Sequence, residues 1–254
     1  MTELRIIPIT GIGEIPPGSD LGLIIYEAMQ AQQQALQQGD ILVVTQKIVS
    51  KAEGRVVNLD EIQPSEFARI AALESRKDAS YIEVVLRESR RVVRMDRGVL
   101  LTETRHGFIC ANAGIDESNV NGDRQITLLP VDPDSSAQEL RSRLQQLSGE
   151  GSDFDIVIII SDTWGRPWRT GQVNMAIGVA GIEPLADYRG QYDPYGYELH
   201  ASVIAVVDEL ASAAELVMGK IDRVPVAIIR GYTYNRGEGS IKTLLRDPSM
   251  DMFR

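Results

Sequence analysis

Apolar residues run almost without interruption through positions 4–9, 41–44, 126–129, 156–160 and 224–229, and each run is short and closed by polar or turn-forming residues. Runs with no polar face, such as Ile156 to Ile160, predict strands covered on both sides, near the middle of a mixed or parallel sheet. Between them the period changes to that of helices. Leu21, Ile24, Ile25, Ala28 and Met29 share one helical face after the N-cap candidate Asp20, which predicts a helix over 21–37 with Gly39 as its stop. Residues 64–76 and 81–89 read as surface helices, and Ser136 with Glu139 reads as a capping box for a helix reaching Leu147. Residues 198–218 are apolar almost all round, predicting one long helix buried in the core or against a second subunit. Val92, Val93, Val99, Leu100 and Leu101 flank Asp96, Arg97 and Gly98 as a hairpin does. Polar stretches near 58–66 and 113–125 are where one lobe would hand over to another.

Candidate chemistry sits where the buried runs stop. After residues 156–160 come Ser161, Asp162 and Thr163, then Arg166 and Arg169. A carboxylate and hydroxyls at the C-terminal lip of a buried strand stand where open α/β sheets place ligands. Asp162 and Thr163 offer oxygen donors for Mg²⁺ or Mn²⁺, and the arginines offer forks for phosphate or carboxylate, although Asp162 as a simple turn cap is about as good a reading. The run at 41–44 ends in Thr45, Gln46 and Lys47, followed by Ser50, Lys51 and Arg55. One acidic and one basic cluster at the ends of two buried strands is what a metal–phosphate site needs. The glycine- and asparagine-rich stretch 105–123 adds Asp116 as a second carboxylate and Asn119 as a partner for a base or ribose. His106 reads as a structural hydrogen-bonder and Cys110 as inert core. Tyrosines 188, 192, 195 and 197 lie in a polar loop and suit either a flat ring or a second subunit. Gly237, Gly239 and Ser240, with Lys242, outline an anion nest without the spacing of a P-loop.

Composition narrows the classes. A chain of 254 residues with 43% hydrophobic content is long enough for one large core or two modest ones. Its net charge of −10 argues against a broad nucleic-acid surface, so an anionic substrate must find a local basic pocket. With one cysteine there is no internal disulfide and no cysteine zinc site; no run is long enough to span a membrane and no signal peptide opens the chain. Cytoplasmic residence, with no membrane or nucleic-acid partner, is the expectation.

TQKIVSKAEGR, RHGFICANAGIDESNV, SDTWGRPWRTGQVNMAIGVAGI and the ending MDMFR resemble the coenzyme F420-0:L-glutamate ligases, GTP-dependent gamma-glutamyl ligases of deazaflavin coenzyme biosynthesis, over almost the whole chain. The resemblance implies an α/β fold with mixed sheets and two lobes in one functional unit over 1–254, without a nitroreductase-like extension, working as an intertwined homodimer. It implies GTP, L-glutamate and coenzyme F420-0 as substrates, further gamma-linked glutamates as products, Mg²⁺ or Mn²⁺ as cofactor, and leaves K⁺ open as a monovalent ion. Carried over residue by residue, Ile12, Gly13, Glu14 and Ile15 lie against the nucleotide, Lys51 contacts its phosphates, Asn119 binds it, and Asp116, Asp162 and Thr163 hold metal. Arg166 and Arg169 are candidates to anchor a carboxylate. Two positions depart from the pattern. Gln46 stands where many relatives carry serine or threonine, and Lys220 where many carry a glutamine that serves a second metal. An ammonium cannot ligate a cation but can take its place, so one fewer protein-bound metal is expected. Two rival classes stand beside this reading: another metal-dependent phosphoryl or nucleotidyl transferase, and a non-catalytic nucleotide-binding module.

Overall fold

The computed structural model describes residues 3–117, 124–151 and 153–251; Asn119 lies outside them. In chain order the elements are β1 (Arg5–Ile9), α1 (Leu21–Ala31), β2 (Ile41–Thr45), α2 (Gln46–Ala52), β3 (Val56–Asn58), α3 (Glu66–Ser75), α4 (Ala79–Arg87), β4 (Ser89–Asp96), β5 (Val99–Thr104) and β6 (Ile109–Ala111). They continue with β7 (Gln125–Thr127), α5 (Pro133–Ser148), β8 (Val157–Arg166), β9 (Arg169–Ala180), β10 (Leu185–Asp187), β11 (Val203–Ala205), α6 (Val206–Met218) and β12 (Val226–Arg230). The fold is mixed α/β, as expected.

Its largest sheet has the order β1-β12-β2-β8-β9, with β2 and β8 parallel and every other pair antiparallel. The apolar runs fill its middle: Ile41 to Val44, Val157 to Ile160 and Val226 to Ile228 are all fully buried, because helices cover both faces. α1 and α5 pack together on one face and α6 crosses the other. The approach of α5 is close enough that a Cβ on Gly178 of β9 would come within 2.3 Å of the Pro133 carbonyl oxygen, so that position admits only glycine. A second core gathers Leu59, Ala68, Ala71, Tyr81, Ile82, Val85, Leu100, Ile126 and Leu128 under α3, α4 and the β4-β5-β6 sheet. The hairpin between β4 and β5 turns on Arg97 and Gly98, both with positive φ (50° and 81°), the primed geometry that matches strand twist.

Several boundaries differ from the sequence reading. Strand β8 does not stop at Ile160; it runs on through Asp162 and Thr163 to Arg166 and folds back as β9, so the polar residues are paired strand rather than a turn. α1 ends at Ala31, where the apolar stripe gives out and Gln32 turns its side chain to accept from the Thr10 N–H at 2.9 Å. α5 starts three residues before the expected capping box: Pro133 occupies the first turn and the Asp132 carboxylate accepts from the Ser135 N–H, while the Ser136 hydroxyl bonds the Asp132 carbonyl. The long helix shortens to Val206–Met218, because the β-branched Val203 and Ile204 pair as β11 with β10, and residues 188–202 close that hairpin.

Candidate active site at the end of the parallel strand pair

The last pair between β2 and β8 is Thr45 with Ser161, so Asp162 is the first residue of β8 beyond the five-stranded sheet. From there β8 and β9 project as a two-stranded ribbon. A register shift at this point opposes Ile160 to Gly178 but Ser161 to Ala176, which leaves one extra residue on β9, a bulge that re-aims the side chains past it. Since successive strand residues face opposite ways, Asp162 and Thr163 belong to different faces of the ribbon.

On the first face the Trp164 indole N–H donates to Asp162 Oδ2 at 3.0 Å, and Phe108 packs on that indole with ring centroids 5.1 Å apart. Burial pushes the Asp162 carboxyl up to about 6, and the negative charge of Asp116 adds to the rise; the Thr163 backbone N–H, Trp164 and Lys47 work against it. Asp116 is held by a backbone bridge to Thr127, and its Oδ2 meets the Lys47 ammonium at 2.7 Å. The two carboxylates that the sequence set forty-odd residues apart therefore share one electrostatic neighbourhood. Cys110 feels the same field, but burial dominates and pushes its thiol up to about 12, which leaves it inert. His106 donates from Nε2 to the Pro130 carbonyl at 2.8 Å and stacks on Phe108, a structural role.

Helix α2 supplies the basic side. It starts immediately after β2, and it carries Lys47 on an accessible turn and Lys51 almost wholly inside. The Lys51 ammonium, its side chain only 10% exposed, meets Glu14 Oε1 at 2.5 Å. Glu14 sits in a loop pinned by Ile12 and Ile15, whose side chains are turned into the core, while Gly13 and Glu14 face outward. Gln46 is fully buried; its Oε1 accepts from Ser50 at 2.8 Å and its Nε2 meets no protein partner among the described residues, nor does the buried Ser161 hydroxyl. Arg166 and Arg169 oppose each other across the ribbon's tip, about 13 Å from Asp162 at some 3.3 Å per strand residue, so they are not brought to the carboxylates.

On the second face Thr163 stands opposite Asn174 of β9 and donates to its Oδ1 at 2.6 Å. Asn174 Nδ2 donates to Glu215 Oε2 at 2.8 Å, Glu215 Oε1 lies 3.3 Å from the Lys220 ammonium, and Lys220 donates back to the Thr163 hydroxyl. Lys47 had a place only within the basic cluster after the 41–44 run, and Trp164, Asn174 and Glu215 received no role from the sequence. Asn174 had a visible signal, a lone amide within an apolar run; Glu215 had none, being one acid among several on α6. The supposed anion nest at Gly237 to Ser240 is filled from within: the Asp134 carboxylate accepts from the Ser240 hydroxyl at 2.5 Å and the Ile241 N–H at 3.2 Å.

A family model for F420-0:gamma-glutamyl ligases matches residues 11–231. The chain is 45% identical to the coenzyme F420:L-glutamate ligase of Methanothermobacter thermautotrophicus over 99% of both chains, and 46% identical to that of Methanopyrus kandleri over 100% of this chain and 99% of the other. The Methanocaldococcus jannaschii enzyme of the same name is 42% identical over 87% of each. This chain belongs to the F420-0:gamma-glutamyl ligase family.

For a member of this ligase family, the two faces differ in how they suit a divalent cation. Asp116 and Asp162 fit one: two hard oxygen donors repel each other here, and Asp162 is oriented by hydrogen bonds from Trp164 and Thr163 as ligating carboxylates usually are. Thr163 does not, because an ammonium already sits on its oxygen. Among the described residues no group of three or more His, Cys, Asp and Glu side chains converges, so water and substrate oxygens would complete the coordination. Among those residues, too, no helix is long and apolar enough to cross a membrane.

Proposed function

We propose that this chain joins L-glutamate to coenzyme F420-0, and further glutamates through gamma linkages, using GTP to activate the acceptor carboxylate as an acyl phosphate that the glutamate amine attacks. The observation that carries this reading is that the Asp116 charge, paired with Lys47 at 2.7 Å, acts on the Asp162 carboxyl, in a chain nearly half identical to enzymes named for that ligation.

Each residue's part follows from its place. Asp116 and Asp162 would hold Mg²⁺ or Mn²⁺, which supplies charge neutralisation for the terminal phosphates. Lys51, buried and paired with the exposed Glu14 side chain, would exchange that carboxylate for a phosphate oxygen when nucleotide enters. Lys47 pairs with Asp116 and would turn toward the nucleotide phosphates. No protein nucleophile is needed, because positioning and electrostatic stabilisation carry phosphoryl transfer. Arg166 and Arg169, paired at the ribbon tip, would bind the distal carboxylate of a growing glutamate tail rather than act at the reacting centre. A homodimer is the active unit in this reading, supported by the uncovered stripe of Phe67, Ile70 and Leu73 on α3 (60%, 55% and 82% exposed).

Mass spectrometry of the deazaflavin precursor incubated with enzyme, GTP, Mn²⁺ and glutamate, each omitted in turn, tests the proposal. A mass gain of one or more glutamyl units only in the full mixture supports it. Pyrophosphate release, or phosphate transfer that ignores glutamate, points to another transferase, and nucleotide binding without any product points to a binding module. Light scattering at twice the 28.0 kDa chain mass checks the dimer.

A further inference from the structure

The four side chains on the α6 side of the ribbon close a ring. Lys220 donates to Thr163, Thr163 to Asn174, and Asn174 to Glu215, whose other oxygen faces the Lys220 ammonium at 3.3 Å. Every polar role in that ring is used in one direction only. The Thr163 hydroxyl proton points at Asn174 Oδ1, so its oxygen accepts, and the group it accepts from is a cation. Asn174 is 4% exposed, and its amide orientation is fixed at both ends by the hydroxyl and the carboxylate. The helix carrying Glu215 is itself fastened to the ribbon: the Ser212 hydroxyl donates to the Asn174 carbonyl at 2.7 Å and the Ala176 N–H donates to Asp208 at 2.9 Å. Lys220 follows α6 by two residues, past Gly219 with φ +60°, a turn that sends the side chain back along the ribbon.

We propose that Lys220, positioned by Glu215 and Asn174, is a cation tethered to the chain that holds the Thr163 oxygen in place of a divalent ion, so that Thr163 binds no metal in this protein. The inference rests on the ligase reading for the expectation of a metal at Thr163, but the geometry that carries it is the ring. An ion and an ammonium cannot share the Thr163 oxygen, since like charges at contact distance repel and an ammonium has no lone pair to offer. The consequence is a division of labour across one strand: a dissociable metal on the Asp162 face, and a covalently held charge on the Thr163 face.

Metal stoichiometry reads this without turnover. Equilibrium dialysis of the full-length protein against Mn²⁺, with a non-hydrolysable GTP analogue present, is run on the wild type and on Lys220→Arg, Lys220→Gln and Lys220→Glu. Lys220 has a side chain 57% exposed, so none of these disturbs the core. The expected result is equal binding in wild type and Lys220→Arg, and one additional Mn²⁺ per chain in both Lys220→Gln and Lys220→Glu, where an oxygen donor replaces the ammonium. The same number of ions in all four proteins overturns the proposal. Failure of the glutamylation assay would instead overturn the ligase reading, leaving the ion counts to judge Lys220 by themselves.

Discussion

Replacing Asp162 by asparagine should raise the stability of the metal-free protein while cutting its turnover. In the folded chain the Asp162 carboxyl titrates at about 6 against an ordinary 3.8, with burial the main cause and Asp116 adding to it. About two units at roughly 1.36 kcal/mol each make the ionised form cost about 3 kcal/mol at neutral pH. Asparagine removes that charge but forfeits one of the two hydrogen bonds the carboxylate accepts, from the Thr163 N–H and the Trp164 indole, which gives back about 1 kcal/mol. The net gain of about 2 kcal/mol corresponds to a rise in Tm of about 4–8 °C for a chain of this size. The pH dependence has a definite sign. Between 3.8 and about 6 the folded protein holds a proton that the unfolded chain has lost, so the wild type loses stability as pH rises through that window. The variant's advantage is therefore absent near pH 4 and complete by pH 7. Turnover should fall by ~10²-fold or more, as when transition-state charge stabilisation is removed, with a much smaller effect on GTP binding. Thermal melts in EDTA across pH 4–7.5, beside glutamate-dependent phosphate release, measure both. A variant less stable than wild type at pH 7, or one with unchanged turnover, refutes the placement of Asp162 in a charge-poor metal site.

Other perturbations follow from the same geometry. Asp40 is fully buried and accepts two hydrogen bonds of 2.7 Å from Arg230, so Asp40→Ala, which strands the guanidinium, should cost about 3–5 kcal/mol in urea unfolding. Gly178→Ala drives a methyl into the Pro133 carbonyl and should destabilise by about 1–3 kcal/mol or more, lowering the urea midpoint. Lys51→Met should raise the KM for GTP by about tenfold or more, the worth of one charged hydrogen bond, whereas Glu14→Gln, which relieves the competing carboxylate, should lower it. An unchanged KM in both would place the phosphates elsewhere.

The central strands were legible because an unbroken apolar run that is buried on both faces has few alternatives: residues 41–44, 156–160 and 224–229 all became neighbours in one sheet. What escaped was the continuation of a strand into polar sequence. Ser161, Asp162 and Thr163 look like a terminus, yet β9 supplies ladder partners for each, and pairing with a distant segment outweighs local polarity. That continuation also sets the geometry of the site. Read as a loop, Asp162 and Thr163 can both turn toward one ion; read as strand, they cannot. Helix α6 was overextended for the opposite reason, since Val203 and Ile204 carry helix-compatible hydrophobicity but find β10 across from them.

The two carboxylates belong to different cores, and this has a mechanical consequence. Asp162 grows out of the five-stranded sheet, whereas Asp116 is tied to β7, beside Ile115 and Ile126 of the second core. Lys47, from the helix that follows β2, reaches across and pairs with Asp116 at 2.7 Å, so the separation of the two acids is set by how the cores abut rather than by any local turn. A cation bound between them adds a second tie across the same seam. Metal binding should therefore protect amides in α4 and the β5–β6 region from hydrogen exchange although none of those residues touches the ion, and Lys47→Ala should weaken that protection in the metal-free protein more than in the Mn²⁺-loaded one. Equal protection with and without Mn²⁺ would mean that the seam is already rigid, and that the ion merely fills a gap prepared for it.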